Sequence, residues 1–150
     1  MYLNKKKYEF GFEAKSKIIE ERGLISNISV NIPINATIGE TITQGGFEIN
    51  LKNFQNTPDW TSQVIISVKN IGNEEKQFKY NSTPVLVDDF GNQYEMVNIQ
   101  RSTQIEQTTI APLARIEGGI FFEPVRVEAK YIIFILRISS ERYIFGFDPR

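Results

Sequence analysis

The densest group of potential ligand atoms in the sequence is the segment Asp88-Asp89-Phe90-Gly91-Asn92. Closely spaced carboxylate and amide oxygens beside a glycine suit a hard cation such as Ca²⁺, with Asp88, Asp89 and Asn92 as its ligands. The next acid, Glu95, comes too early for the bidentate position of an EF-hand. The same residue types are what a tight turn between two strands requires, because Gly91 or Asn92 can adopt positive φ. The turn is therefore the favoured interpretation, and the metal site is the alternative.

Aromatic side chains form the second candidate binding site. Trp60 is the single tryptophan of the chain, and it follows the loop-like segment Asn56-Thr57-Pro58-Asp59. Together with Tyr80 or Tyr94 it would offer a platform for a sugar ring or a proline-rich peptide. The favoured alternative is that Trp60 packs in the core, since an indole suits either setting.

The chain contains neither histidine nor cysteine. It therefore lacks the usual Ser-His and Cys-His nucleophile pairs, His-ligated metals and the commonest general base. Adjacent acids such as Glu74-Glu75 point to opposite faces of a strand, which is the wrong geometry for the two acids of a glycosidase. Lys and Arg number 17 and Asp and Glu 18, so the net charge of −1 provides no general attraction to nucleic acid. We expect a protein that is not an enzyme, has no cofactor and binds no nucleic acid.

Apolar residues recur with period two along most of the chain, which predicts strands with one buried and one solvated face. Short turn-forming clusters separate these segments, as in an all-β protein and unlike an α/β fold. We predict an immunoglobulin-like antiparallel β-sandwich. Its inward-facing rows are Phe47, Ile49 and Leu51; Val64, Ile66 and Val68; Ile116, Ile120 and Phe122; Ile132, Phe134, Leu136 and Ile138; Tyr143, Phe145 and Phe147.

Residues 1–35 differ from the rest, and we predict that they form an arm or edge-strand extension of a sandwich over residues 36–150. One short helix is expected at Ala14–Arg22, before Gly23 as a possible cap. The most apolar stretch, Tyr131–Ile138, is far shorter than the roughly 20 residues that span a bilayer, so we predict a buried strand there and no membrane insertion. The first residues contain no apolar run of the secretory type.

From Ala36 onward, several short pieces resemble one family in their order. They are Ala36-Thr-Ile-Gly-Glu-Thr-Ile, Gly46-Phe-Glu-Ile-Asn-Leu, Val64-Ile-Ile-Ser-Val-Lys-Asn-Ile-Gly-Asn-Glu, Leu86-Val-Asp-Asp-Phe-Gly-Asn-Gln-Tyr and the segment from Ile110 to Val125. They resemble the immunoprotective extracellular superfamily, which comprises immunoglobulin-like domains of bacterial and archaeal surface proteins. The resemblance implies a sandwich and an extracellular or cell-envelope setting. It implies no activity, because the family has no shared catalytic residues to carry over.

Three hypotheses for function follow. The first is a non-enzymatic interaction module of the cell surface or envelope that binds a protein partner through a strand edge or the end loops. The second is a domain for carbohydrate or another small ligand that uses the loop aromatics. The third is a structural domain that forms a homo-oligomer through its N-terminal arm.

Overall fold

The structure is a computed structural model, which describes residues 34–99 and 103–150. The described residues form ten β-strands and no helix. The helix expected at Ala14–Arg22 and nearly all of the predicted arm lie outside the described residues. In the described part of the chain, no helix is long and apolar enough to cross a membrane.

Two four-stranded antiparallel sheets make the sandwich, and a two-stranded ribbon lies beside them. The first sheet has the order β1-β2-β3-β8, the second β10-β9-β5-β6, and the ribbon pairs β4 with β7. The strands are β1 (Thr41–Gln44), β2 (Phe47–Thr57), β3 (Thr61–Asn70), β4 (Lys76–Phe78), β5 (Tyr80–Asp88), β6 (Gln93–Glu95), β7 (Thr108–Ile110), β8 (Arg115–Phe122), β9 (Ile132–Ile138) and β10 (Glu141–Phe147).

The all-β sandwich predicted from the alternation is confirmed. Phe47, Ile49 and Leu51 are at most 2% exposed, whereas Glu48 and Asn50 between them are partly exposed on the outer face of the first sheet. The apolar stretch near the C-terminus is a buried strand, as expected, and β9 is buried on both faces. Burial of both faces explains why the sequence is continuously apolar there rather than alternating.

Turn chemistry at the hairpins agrees with the local backbone. Gly45 and Gly46 connect β1 to β2 with φ of +62° and +84°, a conformation that other residues rarely adopt. At Leu51/Asn53 the β2–β3 register shifts, so Lys52 is an extra residue that bulges from the sheet. The bulge switches which positions of β2 face outward, from Glu48, Asn50 and Lys52 before it to Asn53 and Gln55 after it.

Two edges of the sandwich are covered by chain that is not part of a long strand. Residues 35–36 run along β10, where the backbone of Asn35 donates to the Ile144 carbonyl at 2.9 Å. Residues 103–105 run along β8, where the backbone of Ile105 donates to the Gly119 carbonyl at 2.9 Å. Covered edges cannot add a strand from another chain.

Candidate functional site

Trp60 lies in the turn between β2 and β3 and is 49% exposed, so it does not pack in the core. The turn closes through a hydrogen bond from the Trp60 backbone N–H to the Thr57 carbonyl at 3.1 Å, and Asp59 takes a φ of +68°. Asp tolerates this left-handed conformation better than most residues. The hairpin is anchored from below by Asn56, whose side chain exchanges two hydrogen bonds with the Val125 backbone at 2.8 and 3.0 Å.

A polar groove of about 220 Å³ begins beside the indole on the outer face of the first sheet. We call it the Trp60 groove. Gln55 and Gln63 face each other across β2 and β3, and Phe121 is the next residue across on β8. The residues that line the Trp60 groove are Gln55, Thr57, Trp60, Thr61, Gln63, Thr103 and Phe121. Amides, hydroxyls and an aromatic face line the groove, and none of these side chains titrates in the ordinary pH range.

Gln63 owes its position to Gly119. A side chain at residue 119 would collide with the Gln63 amide, so the glycine leaves the space in which that amide lies. Gly118, its neighbour, serves the fold instead, because a Cβ there would approach the Ile105 backbone to 2.7 Å. The Gly118-Gly119 pair thus seats both the covering strand and a groove side chain.

The segment Asp88–Asn92 forms the β5–β6 turn, and the Asp88 carboxylate organises it. Asp88 is 1% exposed. Its Oδ1 accepts from the Phe90 and Asn92 backbone at 2.8 and 2.9 Å, and its Oδ2 accepts from the Asn92 amide at 3.1 Å and the Tyr94 hydroxyl at 2.6 Å. Gly91 has a φ of +89°, as a turn of this kind needs.

The Asp89 carboxylate serves a different partner from that of Asp88. It accepts hydrogen bonds from the backbone N–H groups of Lys130 and Tyr131 at 2.9 and 3.3 Å, which fastens the turn to the start of β9. Burial raises the pKa of Asp89 above its usual value, and the nearby Asp88 adds to this, against the lowering by those hydrogen bonds. Within residues 34–99 and 103–150, no three acidic side chains come together as a metal site.

The three aromatic candidates are not brought together as one platform. Tyr80 begins β5 and Tyr94 pairs with Leu86 near the far end of that strand, so the two lie about 13 Å apart along the four partner residues of β9, from Ile138 to Phe134. Burial raises the pKa of Tyr80 to about 12. Burial and the hydrogen bond to Asp88 raise the pKa of the Tyr94 hydroxyl further above its usual value. Both phenols are partly or largely buried, and only Trp60 is prominent at the surface.

The residues that line the groove with Trp60 were not singled out from the sequence. Gln55, Gln63 and Thr103 are unremarkable polar positions until the β2–β3–β8 register sets the first two beside Phe121. The alternation did show that the odd-numbered residues 63 and 65 face away from the core. Finding the groove also required the pairing partners, which a single sequence does not display.

The comparisons with known proteins show a fold and no family. No family model matches the chain, and no curated protein matches it. Among solved structures, the chain is similar to the yjhA protein of Bacillus subtilis, with a TM-score of 0.58, 13% identity, and coverage of 76% of this chain and 100% of that one. It is also similar to MPT63, a secreted protein of Mycobacterium tuberculosis, with a TM-score of 0.58, 14% identity, and coverage of 79% and 99%.

A third similar structure is the proposed lipoprotein ycdA of Bacillus subtilis, with a TM-score of 0.57 and 14% identity. The match covers 77% of this chain and 39% of that one. At these identities the likeness shows the β-sandwich alone. The similar structures include a secreted protein and a proposed lipoprotein, both bacterial.

Proposed function

We propose that this chain is a non-catalytic binding domain of the bacterial cell surface or envelope, and that it binds a saccharide in the Trp60 groove. The observation that carries the proposal is the half-exposed indole at the rim of a groove lined by amides and hydroxyls. The apolar face of a sugar ring stacks on an indole, and its hydroxyls exchange hydrogen bonds with amide and hydroxyl groups. The immunoglobulin-like surface family suggested by the sequence supports the same setting.

A non-catalytic role is supported by the chemistry of the groove. Hydrolysis of a glycosidic bond uses two carboxylic acids on either side of that bond. Among the residues that the structure describes, no carboxylate lines the Trp60 groove, and the chain has no histidine to act as a base. A bound saccharide would therefore be held and released unchanged.

The alternative ligand is a protein partner that adds to a strand edge. Among the described residues, the β8 and β10 edges are occupied by residues 103–105 and 35–36. In the two large sheets of residues 34–99 and 103–150, the other edge strands are β1, with four residues, and β6, with three, and the Glu95 carbonyl of β6 accepts from the Glu123 backbone. Such short edges give few backbone hydrogen bonds, so the groove is the stronger candidate. Oligomerisation through residues 1–35 stays a prediction, which sedimentation with and without that segment tests.

The experiment is a glycan array followed by titration of Trp60 fluorescence with the oligosaccharides that are retained. Because the chain has one tryptophan, the emission reports the groove alone. We expect Trp60→Ala to weaken binding by at least about tenfold, as for a central aromatic anchor; its affinity is measured by calorimetry, because this variant has no tryptophan emission. Phe90→Ala is the matched control, since Phe90 is also 49% exposed but lies in the β5–β6 turn. Equal affinity for Trp60→Ala and the unaltered protein would overturn the proposal.

A further inference from the structure

A second groove lies on the same outer face as the Trp60 groove, further along β2 and β3. It has a volume of about 160 Å³ and contains the side chains of Lys52, Lys69 and Arg115. We call it the basic groove. Gln63 and Lys69 are six residues apart on β3, so the centres of the two grooves are separated by about 20 Å.

The cations of the basic groove are arranged in an unusual way. Lys69 and Arg115 are directly opposite each other on β3 and β8. Like charges in that position repel and destabilise the pair of strands. Within the described part of the chain, neither side chain is in an ion pair, and the cations that do pair with a carboxylate are Lys52, Arg126 and Arg150.

Carboxylates are present at the groove but do not neutralise it. Glu48 lines it and is the cross-strand neighbour of Lys69, and Glu117 approaches Lys52 at a loose 3.9 Å. Three cations against two carboxylates leave one net positive charge. Ser67, 4% exposed, lies at the base and offers a hydroxyl between the charged rows. The arrangement suits an anion that bridges Lys69 and Arg115 and relieves their repulsion.

We propose that the ligand of the outer face is an anionic glycan, which stacks a neutral ring on Trp60 and sets a carboxylate or phosphate group between Lys69 and Arg115. This inference rests on the proposed saccharide site and names the class of its ligand. The floor between the grooves is continuous sheet, with Asn53, Ile65 and Gly119 in register across β2, β3 and β8. The exposed Lys52–Glu117 pair spans β3 between the two grooves, so an extended chain that reaches both grooves crosses over these two side chains. A short neutral sugar would occupy the Trp60 groove alone.

The test compares three polymers of matched length: a uronate-containing glycan, a phosphate-bearing glycan and a neutral glucan. Affinity is followed through Trp60 emission at 50 and at 500 mM NaCl. We expect at least one of the two anionic polymers to bind about tenfold or more tightly than the neutral one, and to lose most of that advantage at the higher salt concentration. Which of the two binds better identifies the acidic group.

The double variant Lys69→Gln/Arg115→Gln should lower affinity for the anionic polymer to that for the neutral one. Its control, Lys79→Gln/Arg142→Gln, removes the same charges elsewhere on the chain and should keep the preference. Equal affinity for all three polymers, with Trp60 emission still responding, would overturn the anionic ligand and leave the saccharide site in place. No response to any polymer would overturn both.

Discussion

Replacing Asp88 by alanine should destabilise the protein far more than an exposed turn residue would. The carboxylate is 1% exposed and accepts four hydrogen bonds within the β5–β6 hairpin. Alanine removes both acceptor oxygens, and with them all four hydrogen bonds. The Tyr94 hydroxyl, on a side chain that is 8% exposed, then loses the acceptor for its proton.

The magnitude follows from how well water can replace each bond. Loss of the buried, charge-assisted bond from Tyr94 costs about 2–3 kcal/mol, because its donor is left unsatisfied. The other three bonds are partly exposed, so water compensates them and together they add about 1 kcal/mol. The free energy of unfolding should fall by about 3–4 kcal/mol.

Urea unfolding followed by circular dichroism measures the effect. With an m-value of about 2 kcal/mol/M, the midpoint should fall by about 1.5–2 M at constant slope. Tyr94→Phe removes the hydrogen bond to Asp88 and the acceptor of the Arg126 backbone N–H, and it should cost about 1–2 kcal/mol. Asp59→Asn, in the other hairpin, should stay within about 0.5 kcal/mol of the unaltered protein. A loss below 1 kcal/mol for Asp88→Ala would refute the account of this turn.

Calorimetric titration of the protein with Ca²⁺ should give no heat at millimolar metal, because the Asp88 carboxylate of the β5–β6 turn already accepts hydrogen bonds from four donors. Saturable heat would instead support a metal site in this turn. The raised pKa of Asp89 means that this carboxyl group binds a proton more tightly in the folded protein than in the unfolded chain. The free energy of unfolding should therefore fall as the pH rises from about 3.8 through the pKa of the folded state. Asp89→Asn should flatten that decline in urea midpoints measured from pH 3.5 to 7, and an unchanged profile would contradict it. Burial raises the pKa of Tyr80 and of Tyr143 from 10.0 to about 12. The contribution of these two protonated phenols to the free energy of unfolding should be constant below pH 10 and should be lost between pH 10 and 12. Absorbance at 295 nm should show that they ionise late or only on unfolding, and full ionisation of the folded protein near pH 10 would refute this prediction. Gly118→Ala should lower the free energy of unfolding, measured with urea or heat, by about 2–3 kcal/mol, because the Ile105 backbone occupies the space of the added Cβ. Gly119→Ala should destabilise the protein less and should weaken binding in the Trp60 groove instead, because its Cβ displaces only the Gln63 side chain. Equal losses of stability would contradict the separate roles of the two glycines.

The sequence predicted the fold well because burial leaves a clear mark on each strand. Phe47, Ile49 and Leu51 alternate with polar residues, and that row is buried as expected. The turn at Asp88–Asn92 was foreseen for the same kind of reason, since its residue types are those that positive φ and local hydrogen bonding require. Such signals are local, so a single sequence displays them.

The binding surface was predicted much less completely. Trp60 was singled out as a candidate, but nothing local separates a packed indole from one on a hairpin turn. The basic groove depends on Lys69 standing opposite Arg115, which are 46 positions apart in the sequence and become neighbours through the β3–β8 register. Long-range register is set by the whole fold, and the chemistry of a sheet face follows from it.

The most direct measurement of the central claim is the emission of Trp60 during titration with anionic and neutral oligosaccharides. The account predicts a saturable change in Trp60 emission that reports tighter binding of the anionic oligosaccharide than of the neutral one. The Phe90→Ala variant should show the same change. Emission that does not respond to any saccharide, together with no retention on a glycan array, would contradict the claim that this face of the sandwich binds a glycan.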